Sequence, residues 1–136
     1  MTHWDLSDWL IGLDPRQFWT LTFGQRWPEG PTRTAVRFHV ERWWTEVGDP
    51  LIFAVAERGE SGSRRWHAHG LLLGDGPHCR PSARDAMWRD WSRRYGRCHF
   101  TPVDGAASVS RYCAKYCVKT LYEDTWWLQG RRMTET

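Results

Sequence analysis

The apolar residues of this chain alternate between the spacing of a β-strand and that of an α-helix, and this order restricts the folds that the chain can form. Residues 17–23 have the two-residue period of a strand, with Phe18 and Thr20 on one face and Trp19 on the other. The same period, or a short apolar run bounded by turn residues, predicts strands at 51–58, 65–73 and 97–103. Glycine and serine at 61–63 predict a hairpin turn between the second and third strands.

Apolar residues three and four positions apart predict helices between these strands. Residues 32–47 form such a pattern, with Thr32 or Thr34 as the N-cap. The other predicted helices cover 4–13, 81–95 and about 107–121. After the leading helix, the order β-α-β-β-α-β-α is that of an α+β, ferredoxin-like or RRM-like split βαβ domain with an antiparallel sheet. It carries an additional C-terminal helix that contains two tyrosines.

The length of 136 residues suits one domain with one core. We expect a helical extension at 1–16, the domain at 17–122 and a tail at 123–136. No apolar run approaches the roughly 20 residues that span a bilayer, and the N-terminus is acidic where a signal peptide is basic. We therefore expect a cytoplasmic monomer that does not enter a membrane. A net charge of +3 is too small to indicate nucleic-acid binding by itself.

Four cysteines are too few and too unevenly spaced for a disulfide framework, and we interpret them as reduced, small apolar residues. A structural zinc site is the alternative, because each cysteine has a histidine or another cysteine nearby. Cys98 and His99 would point to opposite faces of a strand, however, and the spacing matches no zinc knuckle. The residues of this alternative are His78, Cys79, Cys98, His99, Cys113 and Cys117.

Two histidines in the third predicted strand point to a metal site. His67 and His69 are separated by one residue, so their imidazoles project from the same face. Neutral imidazole binds divalent transition ions, and a neighbouring carboxylate would favour Mn²⁺ or Mg²⁺. Glu57, at the end of the adjacent strand, is the preferred third ligand, and Glu60 in the turn is the alternative. By itself, an H-x-H pair on a strand is more often an ordinary solvent-facing pair than a metal site.

The last predicted helix repeats the unit Tyr-x-x-Lys. Tyr112 and Tyr116 are four residues apart, which places both phenols on nearly one face. The two lysines of the chain, Lys115 and Lys119, each follow a tyrosine by three residues, whereas every other basic residue is arginine. An ammonium group beside a phenol favours the phenolate, which is the nucleophile in phosphoryl transfer. We expect Cys113, Ala114, Cys117 and Val118 to pack on the domain while the tyrosines and lysines face a substrate.

Together, the strand at 18–23, the His-x-His strand and the paired tyrosines resemble the three motifs of the HUH endonuclease superfamily. The two tyrosines resemble its two-tyrosine branch of rolling-circle replication initiator (Rep) proteins. The resemblance covers roughly residues 17 to 121. It implies that His67, His69 and Glu57 bind Mg²⁺ or Mn²⁺ beside the tyrosine helix.

The same resemblance implies an endonuclease and strand transferase that nicks single-stranded DNA or an origin hairpin. Tyr112 or Tyr116 would attack the scissile phosphate, leaving a 5′-phosphotyrosine and a free 3′-hydroxyl that can prime a polymerase. Many initiators carry a helicase domain, so a host helicase and polymerase are expected partners. A transposase or mobilisation enzyme would use the same chemistry. A non-catalytic RRM-like nucleic-acid-binding module is the alternative from another class.

Arginines and exposed aromatic rings would contact the DNA, since they supply phosphate contacts and stacking. For the tryptophan pairs at 43–44 and 88–91 we expect core positions rather than base stacking. Trp126 and Trp127 are more open to a DNA role, or cover the edge of the sheet. The arginines nearest to the motifs are Arg64, Arg65 and Arg111, followed by Arg93, Arg94 and Arg97.

Overall fold

A computed structural model describes residues 2–24, 27, 30–59, 65–117 and 125–131, and for His3, Tyr116 and Cys117 it describes the backbone alone. The predicted strands and helices are present, with ends that differ by a few residues. In chain order the elements are α1 (His3–Gly12), β1 (Pro15–Leu21), α2 (Arg33–Glu46), β2 (Ile52–Arg58), β3 (Trp66–Leu73), a short 3₁₀ turn (Pro77–Cys79), α3 (Pro81–Arg94), β4 (Cys98–Pro102), α4 (Ala106–Tyr112), a π-helical turn (Cys113–Cys117) and β5 (Trp126–Gln129).

The strands form one sheet in the order β4-β1-β3-β2-β5, and every neighbouring pair is antiparallel. β1 and β2 consequently run in the same direction with β3 between them, which is the split βαβ arrangement. This confirms the predicted α+β, ferredoxin-like fold. It also makes β3, which carries the histidine pair, the central strand.

The fifth strand lies in the segment that the sequence pattern assigns to the C-terminal tail. β5 pairs with β2 along four residues, and its Trp127 is 5% exposed. A four-residue strand beside a polar tail has too short a pattern to be recognised, and its pairing partner is more than 70 residues away in the sequence. Trp126 and Trp127 therefore cover the edge of β2, one of the two expected roles.

Helices pack on both faces of the sheet. On one face, α2 and α3 bury Trp43, Trp44 and Trp91 completely against Trp19 of β1. Large aromatic rings contribute much of the apolar area that is removed from water here. Trp88 is the exception: its side chain is 51% exposed, so its predicted core position is wrong. At the C-terminal part of α3, the face toward the sheet continues through residue 91 and leaves position 88 outside.

On the opposite face, α1 and α4 cover the β2 side of the sheet. Leu6 and Leu10 of α1 and Val109 of α4 are fully buried against Phe53 of β2. The N-terminus of α1 is stabilised by a capping box between Thr2 and Asp5. The leading helix is thus part of the core. No helix in the described ranges combines the length and the apolar character needed to cross a membrane.

The tyrosine helix differs from the expected continuous α-helix over 107–121. It is α-helical only to Tyr112 and continues as the π-helical turn Cys113–Cys117. Single π-turns within helices are rare and are common at functional sites. Tyr112 and Cys113 are buried, whereas Ala114 and Lys115 are exposed. The expected packing of Ala114 on the domain is therefore wrong, and Val118 and Lys119 lie outside the described residues.

Candidate metal-binding and tyrosine site

The histidine pair lies on the central strand, on the face that α1 and α4 cover in part. His67 and His69 point to the same side of β3, as predicted, and their ring centroids are 5.9 Å apart. His69 is opposite Thr20 of β1 and Val55 of β2, and it is 6% exposed. Because a strand flanks β3 on each side, the imidazole positions are fixed by the sheet rather than by a loop.

Glu57 joins the two histidines through the register between β2 and β3, in which it is the direct partner of His67. Its Oε2 atom lies 2.6 Å from Nε2 of His69. One ligand atom from each of the three side chains falls within 4.8 Å of the other two. In the part of the chain that the structure describes, this is the one group of three or more such side chains close enough to share a metal ion. Glu60 lies outside that part.

The tyrosine at the end of α4 meets the histidines directly. The Tyr112 hydroxyl is 2.7 Å from Nδ1 of His69, and the two rings are perpendicular with centroids 5.5 Å apart. The Tyr112 ring also contacts Phe18 of β1, at a centroid distance of 5.3 Å. Tyr112 is only 9% exposed, so it does not face open solvent as the helical pattern suggested. The two nitrogens of His69 thus face Tyr112 on one side and Glu57 on the other.

The electrostatic surroundings keep His67 neutral. Burial lowers the pKa of the His67 imidazole, and the neighbouring His69 lowers it further. The Arg65 carbonyl and Glu57 act in the opposite direction but do not offset the burial. A neutral imidazole has a free lone pair, which is the form that binds a metal ion. The donor set of two imidazole nitrogens and one carboxylate fits a Mn²⁺ or Mg²⁺ ion that keeps open coordination positions.

These side chains open into a cleft of about 800 Å³. Its walls combine the acidic and imidazole groups of the sheet with basic and hydroxyl groups of α4 and of the turn that follows it. The lining residues are Phe18, Trp19, Thr20, Glu57, Gly59, His67, His69, Ser108, Arg111, Tyr112 and Lys115.

The other predicted site residues separate into two groups. Arg111 and Lys115 are exposed and line the cleft. Arg65 does not line it: its guanidinium donates to the carbonyl of Gly24 at 3.0 Å and to that of Trp27. Arg93 and Arg94 form ion pairs with acidic residues on the helices of the other face. Arg64, Lys119 and the side chain of Tyr116 lie outside the described residues.

Three cleft residues were given no role from the sequence, namely Phe18, Thr20 and Ser108. The alternation in β1 does place Phe18 and Thr20 on one face, but that face could be assigned to the cleft only once β1 was known to pair with β3. Ser108 is one turn before Tyr112 on α4, and no motif includes it. Residue type alone does not distinguish these side chains from ordinary surface groups.

The cysteines are free in the described residues and provide no zinc site. Cys98 is buried under α3 with its thiol near the Trp88 carbonyl, whereas His99 is exposed on the other face of β4. Burial raises the pKa of the Cys98 thiol, which keeps it protonated. Cys113 is also buried in the core. These positions confirm that Cys98 and Cys113 serve as small apolar residues.

Comparison with known proteins identifies the family. Residues 16–121 match the family of replication-associated proteins of the ORF2 type, a range that starts one residue after the start of β1 and includes all the site residues named above. Searches among curated proteins and among solved structures find no significant match. Since the match covers well over half of the chain, the protein belongs to this family of replication-associated proteins.

Proposed function

We propose that this protein is an HUH-type, metal-dependent endonuclease and strand transferase that nicks single-stranded DNA to initiate rolling-circle replication. The observation that carries the proposal is the position of His69, which contacts Tyr112 at 2.7 Å through Nδ1 and Glu57 at 2.6 Å through Nε2. A phenol that can attack phosphorus is thereby held beside a set of metal ligands. Membership in a replication-associated family supports DNA as the substrate.

His67, His69 and Glu57 would hold the divalent ion, which when bound supplies Lewis-acid stabilisation of charge on the scissile phosphate. In a neutral His69 ring that binds through Nε2, the proton is on Nδ1 and is donated to the Tyr112 oxygen. This contact orients the phenol and stabilises its phenolate form. Phe18 packs against the Tyr112 ring and restricts its movement.

In the nicking step, the Tyr112 oxygen forms a bond to phosphorus, and the bond from phosphorus to the 3′-oxygen breaks. The phenol gives its proton to solvent, and the departing 3′-oxygen takes one up to become a 3′-hydroxyl. The 5′ side of the cut remains attached to the tyrosine. Attack on this phosphotyrosine by a 3′-hydroxyl reverses the step and joins DNA without an external energy source. Tyr116 would make the second cut of the two-tyrosine mechanism.

Arg111 and Lys115 are suited to bind DNA phosphates at the cleft, since both are exposed and line it. Lys115 and Lys119 would also stabilise the negative charge of the phenolates. The serine and threonine hydroxyls in the lining can donate hydrogen bonds to the DNA backbone.

The test is covalent capture of DNA. The protein is mixed with a pool of random-sequence single-stranded oligonucleotides in the presence of Mn²⁺, with one half of the pool labelled at the 3′ end and the other at the 5′ end. The 3′ label should migrate with the protein on a denaturing gel, and the 5′ label should be released. EDTA should prevent both results. Absence of any adduct from the pool and from origin hairpins would exclude the enzyme in favour of a non-catalytic binding module.

A further inference from the structure

A second pocket, of about 610 Å³, lies at the beginning of β1, where the end of β4 and the N-terminus of α3 meet. It shares no lining residue with the cleft of the histidines and Tyr112. Its volume is within the range of small-molecule sites. None of the steps proposed above uses it.

The pocket is basic. Three of its described lining residues are arginines (Arg16, Arg80 and Arg84), and one, Asp75, is acidic. Arg16 is paired with Asp14 at 2.8 Å. Within the described ranges, Arg80 and Arg84 form no ion pair, so their guanidinium groups can bind an anion without breaking a salt bridge.

The N-terminus of α3 contributes to the same pocket. This helix has 14 residues, begins with Pro81 and has Arg80 at the N-cap position, where no side chain caps it. The backbone N–H groups of its first turn have no partner within the helix, and the helix dipole adds partial positive charge. Such a helix start favours a phosphate group.

A buried amide in the pocket lining indicates more than an anion. Gln17 of β1 is 4% exposed and lines the pocket. Its Nε2 donates to the Cys79 carbonyl at 3.3 Å, but its Oε1 has no hydrogen-bond partner in the described structure. A buried acceptor without a donor is unfavourable, and phosphate carries no donor at neutral pH. The amino or imino group of a nucleobase does.

We propose that this pocket binds one nucleotide of the DNA strand, with the phosphate on Arg80, Arg84 and the α3 N-terminus and the base edge toward Gln17. Prolines 77, 81 and 102 in the lining supply apolar surface for the base. Gln17 and Thr20 are three residues apart on β1, a separation of about 10 Å that a few nucleotides of one strand can span. The choice of DNA rests on the proposed function; the choice of a nucleotide rests on the pocket.

The experiment measures binding of the full chain to a fluorescent single-stranded oligonucleotide over a range of salt concentrations. The double variant Arg80→Ala/Arg84→Ala should bind about tenfold more weakly. The dependence of log affinity on log salt should become less steep by about 1.4, since each phosphate contact on a single strand contributes about 0.7. Arg89→Ala on the exposed side of α3 is the matched control and should bind like the wild type. Equal affinity in all three proteins would overturn the proposal.

Gln17→Leu tests the base contact. It removes the acceptor that lacks a partner while keeping similar volume, so the free protein should be as stable as the wild type. The differences in affinity among dA, dC, dG and dT homopolymers should become smaller. A Gln17→Leu protein that keeps the wild-type base preference would contradict the contact.

Free deoxynucleoside monophosphates form a second arm that separates the two sources of a nucleotide. If they bind in a manner that depends on Arg80 and Arg84 while oligonucleotide affinity does not change in the double variant, the DNA strand is not the ligand. Adduct formation at saturating oligonucleotide should persist in the double variant. Its absence in the wild type would refute the nickase, whereas unchanged oligonucleotide affinity in the double variant would refute the nucleotide pocket.

Discussion

The hydroxyl of Tyr112 lies 2.7 Å from Nδ1 of His69, and this buried contact joins the end of the tyrosine helix to the central strand of the sheet. The first prediction is that Tyr112→Phe stops formation of the DNA adduct while the protein remains folded. Phenylalanine keeps the packing on Phe18, and loss of one hydrogen bond should lower the free energy of unfolding by only about 1 kcal/mol. Adduct assays and urea unfolding on the same preparations measure both effects.

Tyr95→Phe is the matched control, since Tyr95 packs in the core on the other face of the sheet. It should form the adduct at the wild-type level. If Tyr112→Phe also retained the wild-type adduct level, Tyr112 would not be needed as the nucleophile of the first cut.

The two histidines should differ in their effect on folding even though both bind the metal. His69→Ala removes contacts to Glu57 and to Tyr112, and should lower the free energy of unfolding without metal by about 2 kcal/mol. His67→Ala, at a less buried position, should lower it by less than about 1 kcal/mol. Denaturant unfolding in EDTA compares them. Equal losses in the two variants would show that the His69 contacts contribute little to stability.

Mn²⁺ should stabilise the wild-type protein against thermal unfolding. An ion that binds only the native state at 100 times its Kd adds about 2.7 kcal/mol, which raises Tm by several degrees. Glu57→Gln should lose most of this increase because an amide oxygen is a weaker ligand than a carboxylate. Asp85→Asn changes an exposed acid on α3 and should keep it. A similar increase of Tm in both variants would place the ion elsewhere.

Asp90 should make the protein sensitive to acid. Burial by itself raises the pKa of this carboxyl, but hydrogen bonds from Trp43 at 2.7 Å and from Arg94 more than offset it, so the pKa lies below its ordinary value of 3.8. A carboxyl with a lowered pKa in the folded state stabilises the protein above its unfolded-state pKa and loses this contribution as the pH falls through the folded-state value. Unfolding free energies at several pH values below about 4.5 should decrease more steeply in the wild type than in Asp90→Asn. Parallel curves would contradict the assignment.

The two faces of β5 should respond differently to truncation. Trp127 is 5% exposed, and the Arg37 guanidinium lies 5.0 Å from its ring centroid, so Trp127→Ala should cost about 3 kcal/mol or more. Leu128, the next residue, is 41% exposed, and Leu128→Ala should cost less than about 1 kcal/mol. Thermal or urea unfolding distinguishes them. Similar losses would indicate that β5 contributes only backbone pairing.

Local periodicity was sufficient to predict most of the elements and part of the site. The two-residue period of a strand places His67 and His69 on one face whatever the partner strands are, and the three-to-four-residue spacing in α2 identifies its buried side, with Val36, Val40 and Trp43 fully buried. The spacing of four between Tyr112 and Tyr116 was readable in the same way, but the π-helical turn that begins after Tyr112 was not, because its i→i+5 bonding leaves no recognisable pattern.

The sequence by itself thus determined the order of strands and helices, the split βαβ plan and the histidine pair, all of which follow from spacings between near neighbours. Only the tertiary structure decided that Glu57 stands opposite His67, that Tyr112 is buried against His69, and that β5 closes the edge of β2. These depend on strand register and on packing between segments far apart in the chain. Such contacts arise when the whole core forms, and no local pattern of residues specifies them.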